Sequence, residues 1–179
     1  MYLLRLVISY FVGVFLAIGS PSTYLFAEIS STTLPTGGNV VSGNITISTP
    51  EVGKMNVDQT SNQGIINWNT FNVGSSASVY FNQPTNKSTI LNNVVSGKSI
   101  INGSIFSNGR LILVNPTGIL MGPTSAVRAE GAILSTLNIT KQKFLNNNLS
   151  FSTDKLSQLT ASGKTVSYTH LTLPTILLV

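Results

Sequence analysis

The chain has no cysteine, one histidine, and five acidic residues in 179, and only 8% of its residues are charged. The missing thiols exclude a disulfide framework and thiolate chemistry, so packing and hydrogen bonds must supply all of the stability. The scarcity of acids bears on catalysis, because acid–base and metal sites need carboxylates or imidazoles brought together. Glu28, Glu51, Asp58, Glu130 and Asp154 are scattered, with no two closer than seven positions, and His170 stands alone near the carboxy terminus. We assign no catalytic residue, no metal ligand and no cofactor. The ten basic residues are also spread singly. A nucleic-acid binder gathers them into a stripe with interleaved aromatics, so no nucleic-acid partner is expected.

Two further absences concern the fold. A chain that is 42% hydrophobic is not a solvated tail, because disordered segments are charged and poor in apolar residues. Nor does the body show a sustained apolar stripe of 3.6-residue period, the mark of an amphipathic helix. Ser, Thr, Asn and Gly carry the polarity instead, and these residues favour turns and sheet surfaces. The expected class is all-β.

The amino terminus reads as an export signal over residues 1–27. Arg5 precedes an apolar stretch from Leu6 to Ile18, then a small and polar segment with Pro21 and an expected cleavage site after Ala27. That stretch falls short of the roughly 20 residues a membrane-spanning helix needs.

Beyond it, "NVVSGNITIS", "GIINW", "SVYFNQP", "KSIINGSIFSNGRLILVNPTGILMG" and "AILSTLNIT" fit the strand template, with Gly, Asn, Ser or Pro between them. "SAVRAEGAILSTL" is the nearest helix candidate, but Gly131 interrupts it and a strand reading serves as well. The Asn-Gly pairs at 102–103 and 108–109 admit two topologies. They suit type I′ hairpins in an antiparallel sandwich. They equally suit the corners of a solenoid, where stacked Asn amides pair between rungs. Pattern alone leaves both open.

Three stretches in order resemble a known family. They are "MNVDQTSNQGIINWNTFNVGSSASVYFNQP", "ILNNV", and "INGSIFSNGRLILVNPTGILMGPTSAVRAEGAILSTLNIT". Together they are similar to the amino-terminal two-partner secretion (TPS) domain of filamentous-haemagglutinin-type exoproteins, also called the haemagglutination activity domain. The resemblance implies a right-handed parallel β-helix with amino-terminal capping strands, here over residues 28–140. It also implies a route through the general secretory translocon, the periplasm and the outer membrane of a Gram-negative cell. There the partner is an outer-membrane TpsB-type β-barrel transporter with periplasmic POTRA domains. The parent protein is expected to be a secreted or surface adhesin that meets host-cell or surface receptors through its remainder. The alternative on the same architecture is a β-helix that binds or cleaves polysaccharide.

The resemblance places the secretion motif at Asn115, Pro116, Thr117, Gly118 and Ile119, with Thr117 where the family pattern has a second Asn. The residues alone describe a type I turn, with Asn first, Pro second to preset φ, and Gly fourth. The family's other motif, Asn-Pro-Asn-Leu, has no literal counterpart, and "FNQP" stands in about its place. Trp68, Phe71 and Phe81 lie in apolar runs and are expected in the core. Residues 141–165 read as the start of a following β-helical or loop region. Residues 166–179, "VSYTHLTLPTILLV", resemble the translation of a sequencing adapter and are expected to be foreign to the protein.

Overall fold

The computed structural model describes residues 29–152. The expected export signal and the expected foreign tail lie outside this range, as do Glu28, Asp154 and His170. Two antiparallel strands open the described chain: β1 (Asn39–Ser42) and β2 (Ile45–Glu51). Then the rungs begin. The first holds β3 (Lys54–Gln59) and β4 (Gln63–Trp68), the second β5 (Ser78–Asn82), β6 (Thr89–Val94) and β7 (Ser99–Ile101). The third holds β8 (Ser104–Ser107), β9 (Arg110–Val114) and β10 (Ile119–Met121), the fourth β11 (Ala126–Arg128) and β12 (Gly131–Ser135). A short helix, α1 (Lys141–Leu145), follows.

Strand pairing settles the topology. β3, β5, β8 and β11 pair in parallel in that order, as do β4, β6, β9 and β12. β7 and β10 form a third parallel face, which Val73 joins through a bridge to Ile101. Successive rungs are offset by as few as 20 residues (Ser99 to Ile119) and as many as 28 (Val73 to Ile101). This is a parallel β-helix of about four turns, as expected. The Asn-Gly pairs are corners and not hairpins, and their backbone shows why. A type I′ turn needs positive φ at both central residues. None of Asn102, Gly103, Asn108 and Gly109 has it.

Alternation along each strand sends one side chain inward and the next outward. The inward set stacks in columns. Met55, Val79, Ile105 and Val127 form one; Ile66, Leu113 and Leu134 belong to another, all buried. Burying each such side chain contributes about 1.5–3 kcal/mol. A second, smaller cluster sits outside the helix. Ile65, Leu91 and Ile112 are registered partners on the outer side of the β4-β6-β9-β12 sheet, covered by Ile139 and Phe144.

The two ends differ. β1 pairs antiparallel with β4 and β2 antiparallel with β3, so the first rung is capped on two faces. Pro50, which cannot donate to a ladder, and a register irregularity between Ser48 and Glu51 blunt the outer edge of β2. At the other end β10, β11 and β12 pair on one side only among the described residues. Amide pairing between rungs is present, but Asn93 donating to Asn67 (3.2 Å) lies within β6 and β4, not at a corner.

Candidate functional site

The corner at Asn115–Ile119 joins β9 to β10. Asn115 is buried at 0% exposure, whereas Pro116 and Thr117 are exposed. Its backbone N–H donates to the Ser135 carbonyl of the fourth rung at 2.9 Å. Its side-chain amide reaches the other way, donating to the Gly97 carbonyl (3.0 Å) and the Ser99 hydroxyl (2.9 Å) of the second rung. The same side chain accepts the Thr117 N–H at 2.9 Å, and the Gly118 N–H closes the turn on the Asn115 carbonyl at 3.0 Å. One residue thus ties three consecutive rungs at one corner. A hydrophobic side chain of similar size would leave those groups unpaired, which is why Asn stands there.

Its neighbours have simpler roles. Pro116 presets φ for the turn, and its missing N–H falls outside the ladders of β9 and β10. Thr117 serves the turn through its backbone N–H, which any residue but proline supplies. Gly118 has φ 128°, a conformation that a Cβ would strain. Ile119 is half-buried against the inner core and pairs with Ser99.

The FNQP element turns the other end of the same sheet, between β5 and β6. Asn82 donates to the exposed Asp58 carboxylate of the first rung at 2.7 Å. Gln83 is buried, and Asn108 of the third rung grips its backbone by donating to its carbonyl (2.7 Å) and accepting from its N–H (2.6 Å). Both motif-like stretches are therefore corners, and each is fastened to the adjacent rung by an Asn side chain.

Trp68, Phe71 and Phe81 are buried in the helix interior at 1%, 0% and 1% exposure. Trp68 meets Phe71 edge to face at 5.6 Å between ring centres. Its indole N–H donates to Asn92 at 2.9 Å, and Asn92 in turn donates to the Ile112 carbonyl at 3.2 Å. Asn92 sits in the column of Ile66 and Leu113, where alternation asks for an apolar residue. Sequence reasoning did not find this buried amide. The signal was the second inward position of "TILNNV", read against the tryptophan that needs a partner.

On the outer side of the β3-β5-β8-β11 sheet, Tyr80 and Phe106 stack with centres 4.9 Å apart at 15°. Lys54 and Arg128 lie 5.7 and 5.9 Å from the Tyr80 and Phe106 ring centres respectively. A shallow depression beside them is lined by Asn82, Asn108 and Glu130 among others. Among the described residues no group of three or more His, Asp or Glu side chains is placed to hold a metal. Glu51 faces Lys54 at 3.5 Å, and Asp58 is held by Asn82.

Comparison with known proteins places these features. A family model described as TPS secretion domain matches residues 29–175. A heme/hemopexin-binding protein of Haemophilus influenzae is 28% identical over 126 residues, covering 70% of this chain and 14% of its own length. Its counterpart from Haemophilus influenzae strain Rd is 33% identical over 121 residues, covering 66% and 13%. The chain therefore spans about a seventh of these curated relatives. Among solved structures, the HMW1 secretion domain from Haemophilus influenzae superposes with a TM-score of 0.64 at 32% identity. The match covers 68% of this chain and 32% of that one.

Proposed function

Because this chain belongs to the TPS secretion domain family, we propose that it is the secretion-signal and folding-cap domain of a large exoprotein with adhesin activity. That family is a secretion domain and not an enzyme family, and its exoproteins pass through the outer membrane to the surface. The partner in this reading is an outer-membrane transporter whose periplasmic POTRA domains recognise the chain after the secretory translocon has delivered it and the leader, residues 1–27, has been removed. The remainder of the exoprotein then carries the contacts with host-cell or surface receptors.

The observation that carries the reading is the inequality of the two ends. The amino-terminal end is closed by two antiparallel strands, with Pro50 and a register irregularity breaking the outer edge of β2, while β10, β11 and β12 are parallel rung strands that pair on one side only among the described residues. Such a block grows in one direction only, rung upon rung, as the chain emerges amino terminus first. Folding outside the cell then supplies the pull, since each new rung buries apolar side chains that cannot slip back.

The polysaccharide-binding alternative draws on the aromatic pair at Tyr80 and Phe106. Those rings lie face to face with each other and have cations near them, so a sugar is not offered an open ring face. The test is calorimetric titration of the mature chain with the POTRA segment of a cognate TpsB-type transporter. Saturable binding is expected. Absence of binding to that segment, with tight binding to a surface polysaccharide, reverses the assignment.

A further inference from the structure

After β12 the chain leaves the rungs and makes a closed loop from Asn138 to Ser152. Its two ends are tied by reciprocal backbone hydrogen bonds, 3.0 Å from Asn138 to Ser152 and 2.8 Å back. Helix α1 forms the body of the loop. Thr140 caps it by accepting the Lys143 N–H. Asn147 at φ 55° stops it in a Schellman turn, with the Asn148 N–H on the Lys143 carbonyl and the Asn147 N–H on the Phe144 carbonyl.

The position of this loop is unusual for a stack of rungs. Phe144, at 1% exposure, and Ile139 pack on the outer column of Ile65, Leu91 and Ile112, with Ile133 at its edge. Those four residues come one from each rung. The loop is also bonded to the far end. Gln63 of the first rung donates to the Phe144 carbonyl and to the Asn147 side chain, both at 3.1 Å. Lys141 donates to the Val41 carbonyl of the cap at 3.3 Å. These contacts join residues 81, 84 and 100 positions apart.

In a stacked-repeat architecture each unit touches only its neighbours, so stability is a sum of local terms and an end unit can open by itself. A contact from the segment after the fourth rung to the first rung breaks that rule. We propose that the 138–152 loop is a clasp that couples the first rung to the fourth, so that the four rungs open as one unit despite the unpaired carboxy-terminal edge. Its docking surface exists only once all four rungs are in register. The clasp therefore closes last in a chain that folds from its amino terminus, and its closure marks a completed block.

Native-state hydrogen exchange on the full 179-residue chain tests this, with amides of β4 and β12 as reporters. In the unaltered chain both are expected to exchange through the same opening. Phe144→Ala is expected to raise the exchange of β12 amides on the order of a hundredfold, with a much smaller rise in β4. Gln63→Ala is the sharper variant, because it removes only one half-buried amide and should leave the chain folded. It lies in the first rung, yet the clasp predicts that its main effect is faster exchange in the fourth. Loosening confined to β4 and its neighbour β6 would show purely local coupling and overturn the proposal. So would an equal rise in β4 and β12 for Phe144→Ala, or no change in either.

Discussion

Asn115→Ala separates a folding role of the motif from a contact role. The substitution removes three hydrogen bonds: to Gly97, to Ser99 and from Thr117. The Gly97 carbonyl is in an exposed residue and can turn to water, but the Ser99 hydroxyl is at 0% exposure and cannot. At about 1 kcal/mol for each of the two bonds that water does not replace, plus about 1–3 kcal/mol for the buried Ser99 hydroxyl left unpaired, the expected loss is about 3–5 kcal/mol. For a domain of this size that lowers Tm by roughly 10–20 °C. Pro116 is exposed, and Pro116→Ala mainly frees the unfolded chain, costing about 0.4–1 kcal/mol. Thr117→Asn should change stability by less than about 0.5 kcal/mol, since the turn uses only the backbone N–H. Thermal unfolding of the three variants, with transporter-dependent export measured beside it, decides the point. Export should fall in the order of the stability losses. A stable Asn115→Ala chain that is not exported, or an export defect greatest for Pro116→Ala, would refute the reasoning and make the corner a contact surface.

Other substitutions probe the rest of the account. Trp68→Phe strips the donor from Asn92 in the core and should cost about 1–3 kcal/mol. Adding Asn92→Leu should recover part of that loss, and a double-mutant cycle by urea unfolding measures the coupling. Gly118→Ala forces a Cβ onto φ 128° and should destabilise the chain by about 1–3 kcal/mol, seen as a lower urea midpoint with an unchanged slope. Glu51→Gln removes only the exposed ion pair with Lys54 and should leave Tm within measurement error; a clear drop would give the β2–β3 hairpin more weight than its geometry suggests.

Much of the architecture was legible because alternation is a local signal. The stretch from Lys98 to Gly122 holds four strands and was read as a run of short ones. β3 escaped the strand template because "KMNVDQ" has only two apolar residues, Met55 and Val57, both inward, and β6 was blurred by Asn92 and Asn93. Hairpin and corner could not be told apart at Asn-Gly, since the partners of the strands flanking those pairs lie 20 or more residues away and leave no local mark. The same distance hid the working of Asn115. Its turn chemistry shows in the sequence, but its bonds to Gly97 and Ser99 depend on how one rung lands on another. Helix α1 was missed for a different reason. At five residues it is too short to show a period, and it is held by its caps and by Phe144 on a column assembled from four rungs.

The central claim is that these residues direct an exoprotein through an outer-membrane partner. A folded-reporter enzyme fused after residue 152 would confound export with its own folding, so the direct measurement uses a short epitope at that position. The account predicts that the epitope reaches the medium or the cell surface only when a cognate TpsB-type transporter is co-expressed. An epitope that stays in the periplasm with the transporter present, or reaches the outside without it, would contradict it.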